Sequence, residues 1–225
     1  MKKLVIALCA VLVLGVGVPA ASAATILFEA AFNQNGTVFG LGAAPANWNL
    51  AAFDTGTGLG TITAQITGAG AHNILVFLDI EIDEAINTYF NEYGATSGAP
   101  AAGQSWEIDE PGYVFGNIYA HFLAGTLDNG NGVPSTAPED VSFALGWAFT
   151  LAAGETATLN FRTSLTAPAG GFYLVQTDPD STAPNSVYFT SDNTIRGGSE
   201  VPEPATLLLF GTGLAGVVGL RRRRK

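Results

Sequence analysis

The chain has 225 residues, with nine Lys and Arg against 19 Asp and Glu, a net charge of −10 and a single cysteine. Seven of the nine cations sit at the two ends, so the interior cannot neutralise a phosphate backbone, which excludes nucleic acid as a partner. The lone Cys9 excludes a disulfide framework and any Cys-based metal or redox centre.

Residues 1–23 read as a secretory signal peptide. Lys2 and Lys3 form a positive start, residues 4–18 an apolar core, and Ala21-Ser22-Ala23 a small-residue cleavage box. The mature chain then begins at Ala24. Cys9 lies inside the apolar core and not at the cleavage point, so there is no lipidation signal.

Residues 24–200 carry 18 acidic residues and two basic ones, Arg162 and Arg196, a net charge of −16. The stretch is long enough for one domain with a real core. Short apolar runs alternate with Gly, Asn, Asp and Pro clusters, the pattern of an all-β fold. Strands are predicted over residues 25–33, 59–67, 73–82, 112–123, 141–151, 155–165, 171–177 and 186–191. Residues 61–67 alternate strictly, as a half-buried strand does. A short helix is predicted over 84–93, with Ile86, Tyr89 and Phe90 on one face. Residues 94–103 and 128–132 read as loops. Eight strands at turn spacing predict an antiparallel β-sandwich over 24–195, followed by a flexible spacer, 196–200. The segment 144–158 resembles a strand–turn–strand of exported bacterial β-sandwich proteins.

One tetrapeptide occurs twice, Glu81-Ile82-Asp83-Glu84 and Glu107-Ile108-Asp109-Glu110. On a strand, Asp79, Glu81 and Asp83 would share one face and Ile80 and Ile82 the other. Converging carboxylates repel unless a cation screens them, and Ca²⁺ takes oxygen ligands. Asp79, Glu81, Asp83, Glu107 and Asp109 are therefore candidate calcium ligands. The competing reading is a solvated acidic face, since neither copy matches the Ca²⁺ loop pattern. The same carboxylates would serve a glycosidase if a pair stood roughly 5 to 9.5 Å apart.

His72 and His121 are the only histidines, and no Gly-x-Ser-x-Gly elbow is present, so no hydrolase triad is signalled and the reading is non-enzymatic. Trp106 adjoins the second acidic run and is the candidate sugar-stacking residue. The alternative for all three tryptophans is core filling.

The C-terminus has three parts in order. Pro202, Glu203 and Pro204 come first, in extended geometry enforced by the prolines. An apolar run, 205–220, follows, and five cations, 221–225, close the chain. As a helix, 205–220 would cover about 24 Å, against about 30 Å of bilayer core. Snorkelling arginines close the gap, and the terminal cations stay cytoplasmic. Gly211, Gly213 and Gly216 spell a dinucleotide fingerprint without the βαβ context it requires.

These three parts resemble the PEP-CTERM protein-sorting domain, a tail also catalogued as the C-terminal domain of ice-binding proteins. The resemblance implies export across the inner membrane of a Gram-negative bacterium. It also implies recognition of Pro202, Glu203 and Pro204 by exosortase, and transient anchoring by the 205–220 helix. Such proteins accompany exopolysaccharide and biofilm. The expected function is a structural or adhesive protein of the surface or matrix. A calcium-dependent carbohydrate-binding module is the alternative, and a glycan-active enzyme the third.

Overall fold

The computed structural model describes residues 24–83, 88–181 and 185–197. The signal peptide 1–23, residues 198–200 of the spacer, the sorting residues Pro202, Glu203 and Pro204 and the apolar run 205–220 lie outside them. Among the described residues no helix is long and apolar enough to cross a membrane.

The described residues form eleven strands: β1 (Thr25–Gln34), β2 (Thr37–Gly40), β3 (Trp48–Asp54), β4 (Leu59–Thr67), β5 (Gly70–Ile82), β6 (Tyr93–Ser97), β7 (Gln104–Asp109), β8 (Ser142–Leu151), β9 (Thr156–Ser164), β10 (Tyr173–Thr177) and β11 (Ser186–Arg196). A helix, α1 (Ile118–Ala124), lies between β7 and β8. The strands form two antiparallel sheets, β2-β1-β5-β8-β7 and β3-β4-β9-β11-β10-β6. The all-β, two-sheet expectation is met.

Period-two patterning explains the main core. Ile62, Ala64 and Ile66 of β4 are buried, and the threonines and Gln65 between them face outward. Ile74, Val76, Leu78, Ile80 and Ile82 of β5 meet Phe143, Leu145, Phe161 and Phe189 between the sheets. The β1–β2 hairpin turns at Asn35-Gly36, with φ of 54° and 84°. Asn-Gly suits this turn because both residues tolerate positive φ.

Strand β5 is buried on both faces. Its other face, with Leu75 and Phe77, joins Ala31 and Ala144 in a second core under Ile118 and Phe122 of α1 and Leu127 beyond it. This outer face of the first sheet is covered by the excursion 110–141 between β7 and β8.

That excursion corrects the strand predicted over 112–123. Gly112 and Gly116 take φ of 90° and 76°, which breaks a strand. Ile118 and Phe122 then bury one helical stripe, and Gly125 ends α1 in the left-handed region at φ 75°. The aromatic run resembled a strand, but Tyr113, Val114 and Phe115 are exposed. The helix expected over 84–93 is, within the described residues, a single 3-10 turn, Tyr89–Asn91. The loop expected over 94–103 contains β6. Strand character continues past Asp192 to Arg196, because β9 supplies partners as far as Thr156.

Candidate functional site

Register places the acidic residues together. Glu29 of β1 pairs with Asp79 of β5, Asp79 with Ser142 of β8, and Ser142 with Asp109 of β7. Both copies of the repeat therefore turn their isoleucines, Ile82 and Ile108, inward, as Ile80 before the first copy also turns. The carboxylates of Asp79, Glu81, Glu107 and Asp109 go to the outer face of the first sheet. This is no solvated ridge, since Asp79, Glu81, Asp83 and Glu107 are all at most 7 % exposed.

The five candidate calcium ligands are divided. Asp79 and Glu81 join Asp140, with one oxygen from each within 4.8 Å of the others. Glu107 joins His121 and Asp128 in a second group of the same span. Asp109 stands beside that second group, where its Oδ2 accepts the Asn117 backbone N–H at 2.7 Å. Asp83 belongs to neither. It takes φ 54° just past β5, accepts the Ala24 N–H at 2.5 Å and accepts the Ser181 hydroxyl.

The first group floors a cleft. A cavity of about 250 Å³ is lined by Phe28, Asp79, Glu81, Tyr89, Tyr113 and Asp140. A second, of about 310 Å³, shares Tyr89, Tyr113 and Asp140 and adds Phe90, Val114 and Phe115. The walls are unusually exposed for aromatics: Phe28 and Phe115 at 68 %, Phe90 at 56 % and Tyr113 at 51 %. A bulge between Leu27 and Glu29 lets Phe28 leave the β1 alternation and face the cleft. Tyr113 and Tyr119 both donate to Glu29, the latter at 3.2 Å, which ties the wall to the floor.

Burial dominates the electrostatics here. It pushes the Asp79 carboxyl up to about 7, and the nearby Asp140 and Glu29 charges push the same way. The Ser142 hydroxyl, donating at 3.0 Å, opposes them. Glu92 lies beneath, with Gln176 donating to its Oε2. Burial, and then Glu81, raise Glu92 to about 9, so it is neutral at pH 7. The Tyr113 phenol is raised by burial and by its bond to Glu29.

In the second group, Glu107 Oε1 is 2.8 Å from His121 Nδ1, and Glu107 Oε2 accepts the Asp128 N–H at 3.1 Å. The Glu107 bond raises His121, and burial raises Glu107. The sequence signalled no catalytic partner for His121, and the fold pairs it with Glu107 of the second acidic repeat. The other histidine, His72, bridges Asn35 and the Gly68 carbonyl and stacks on Phe149.

Trp106 is half-buried on the inner face, 5.8 Å from the Phe172 ring, among residues of the main core. It is remote in role from the cleft aromatics, which are Phe28, Tyr89, Phe90, Tyr113 and Phe115. Asp140, Asp128, Phe28, Tyr113 and Phe115 were not singled out from sequence. The available signal was the apolar triplet Tyr113-Val114-Phe115 between Gly112 and Gly116, which has no alternation to bury it.

Residues 200–224 match the family model for the PEP-CTERM protein-sorting motif. The chain thus carries the sorting tail expected from its last residues, which marks it for export, exosortase processing and membrane-associated sorting to the cell surface in Gram-negative bacteria. No curated protein and no solved structure matches the chain.

Proposed function

We propose that the exported domain binds polysaccharide through the acid-floored aromatic cleft, and that the protein is a structural or adhesive component of the exopolysaccharide matrix. The sorting tail supports the location, with the 205–220 segment as a transient anchor in the inner membrane. The cleft supports the activity. Exposed aromatic faces stack on the apolar faces of sugar rings, and buried carboxylates accept hydrogen bonds from hydroxyls. The observation that carries this reading is the set of exposed rings, Phe28, Phe90, Tyr113 and Phe115, gathered round Asp79, Glu81 and Asp140.

Charge narrows the ligand. With 18 acids against two bases over residues 24–200, an anionic polysaccharide is repelled unless a cation bridges it. Neutral glycans fit directly. The test is affinity electrophoresis of the detergent-solubilised full-length protein through neutral and anionic bacterial polysaccharides. Retardation by a neutral glycan, lost in Phe115→Ala, supports the reading. Unretarded migration through every polysaccharide overturns it.

A second reading, calcium-dependent carbohydrate binding, is favoured by the three carboxylate oxygens of Asp79, Glu81 and Asp140 within 4.8 Å of one another. Oxygen-only donors at this spacing suit Ca²⁺. Retardation that needs Ca²⁺ and disappears with a chelator would select it. Release of reducing ends would instead favour glycan cleavage, with Asp79 as the proton donor.

A further inference from the structure

We propose that Glu107, His121 and Asp128 form a binding site for a divalent transition ion, Zn²⁺ or Mn²⁺, distinct from the cleft carboxylates. Three elements meet here: β7 supplies Glu107, α1 supplies His121, and the loop after α1 supplies Asp128. One donor atom from each lies within 4.8 Å of the others. The set is mixed, one imidazole nitrogen with two carboxylates. An imidazole selects for transition ions over Ca²⁺, which prefers oxygen alone. Nδ1 and Oε1 lie 2.8 Å apart, joined by a hydrogen bond whose proton a bound ion would displace.

Asn117, at the N-cap of α1, borders the site. Its amide nitrogen donates to Glu107 Oε1 at 3.1 Å and to Asp109 Oδ2 at 3.0 Å, which orients the Glu107 carboxylate.

The site is buried on one side and open on the other. Glu107 is 1 % exposed, whereas the His121 side chain is 33 % exposed and Asp128 is exposed, which leaves an entry path. A bound ion would pin β7, α1 and the 128–132 loop together. It would thereby fix the excursion that carries Tyr113 and Phe115.

The experiment is isothermal titration of Zn²⁺ into chelator-treated full-length protein, with Ca²⁺ as the control ion. One Zn²⁺ per chain is expected, with affinity about tenfold weaker or worse in His121→Ala and Glu107→Gln, and unchanged in Asp79→Asn. His121 is partly exposed, so His121→Ala decides the matter if Glu107→Gln does not fold. Absence of Zn²⁺ binding overturns the proposal. Equal binding by wild type and His121→Ala, or loss only in Asp79→Asn, also overturns it.

Discussion

Ser142 donates its hydroxyl to Asp79 Oδ1 across the β5–β8 ladder at 3.0 Å, in a site where both residues are at most 1 % exposed. The bond stabilises a carboxylate that burial, Asp140 and Glu29 all disfavour, and burial wins. The floor of the cleft therefore sits near its proton-exchange point at neutral pH. A proton, a cation or a hydroxyl-rich ligand can each relieve it.

The sign of the resulting pH dependence is fixed. The Asp79 carboxyl is raised from 3.8 to about 7 in the folded state, so the folded chain holds more protons than the unfolded chain between those values. Stability falls as pH rises through that window, and the loss is complete above about pH 7. Asp79→Asn keeps an acceptor for Ser142 and removes the charge. Its melting temperature should exceed that of wild type at pH 8, and the gap should close at pH 4. A variant less stable than wild type at pH 8 would refute the assignment of burial as the leading cause. If Ca²⁺ occupies the floor, it should raise the wild-type melting temperature at pH 8 and leave Asp79→Asn unmoved.

Glu92 extends the same argument to higher pH. It is 1 % exposed and raised from 4.5 to about 9 by burial and Glu81. Its cost to the folded state grows from about pH 4.5 and is complete only above about pH 9. Glu92→Gln removes the titrating group and leaves an oxygen for the Ile82 N–H, while losing the acceptor that Gln176 Nε2 donates to. The expected result is a flatter melting profile between pH 7 and 10 than wild type shows. An unchanged slope in thermal scans would assign that window to other groups.

The floor of the cleft was partly legible in the sequence and its walls were not. Alternation of Asp79, Ile80, Glu81 and Ile82 gave the strand and the inward isoleucines, because period two is a local property. What lay over the carboxylates is a tertiary fact. Asp140 is 61 residues from Asp79 along the chain, and only the β5–β8 register brings it there. The strands β3 and β6 escaped notice because Asn, Ala, Asp, Gly and Ser interrupt their β-formers and edge pairing holds them. In 112–123 the aromatic content suggested β-structure, while the deciding signals were two glycines and the i, i+4 pair Ile118 and Phe122.

Trp106 separates the core aromatics from the exposed rings of the cleft. It packs on Phe172 between the sheets, so Trp106→Ala should lower stability by about 2–3 kcal/mol, below the range for a fully buried Trp. Polysaccharide retardation at a temperature where the variant is folded should match wild type. Selective loss of retardation with unchanged stability would return Trp106 to the role of a stacking residue.

Phe115 should behave in the opposite way. Its ring is 68 % exposed, so Phe115→Ala should change stability by less than about 0.5 kcal/mol. Glycan retardation should fall markedly. A stable variant with full retardation would remove this ring from the binding face, and Phe28→Ala would then test the opposite wall.

Phe122 tests whether the outer face acts as one unit. It is fully buried beside Phe77 and Tyr119, and its carbonyl accepts from the Asn33 side chain at 2.7 Å. Phe122→Ala should cost about 3–5 kcal/mol and loosen α1 from the first sheet. Since α1 carries His121 and follows directly on Tyr113 and Phe115, Zn²⁺ affinity and glycan retardation should weaken together. Phe122→Leu retains most of the volume and should restore both. If Phe122→Ala weakened neither while lowering the melting temperature, the cleft walls would be positioned by the 110–117 loop and its bonds to Glu29, with α1 serving only as a lid on the second core.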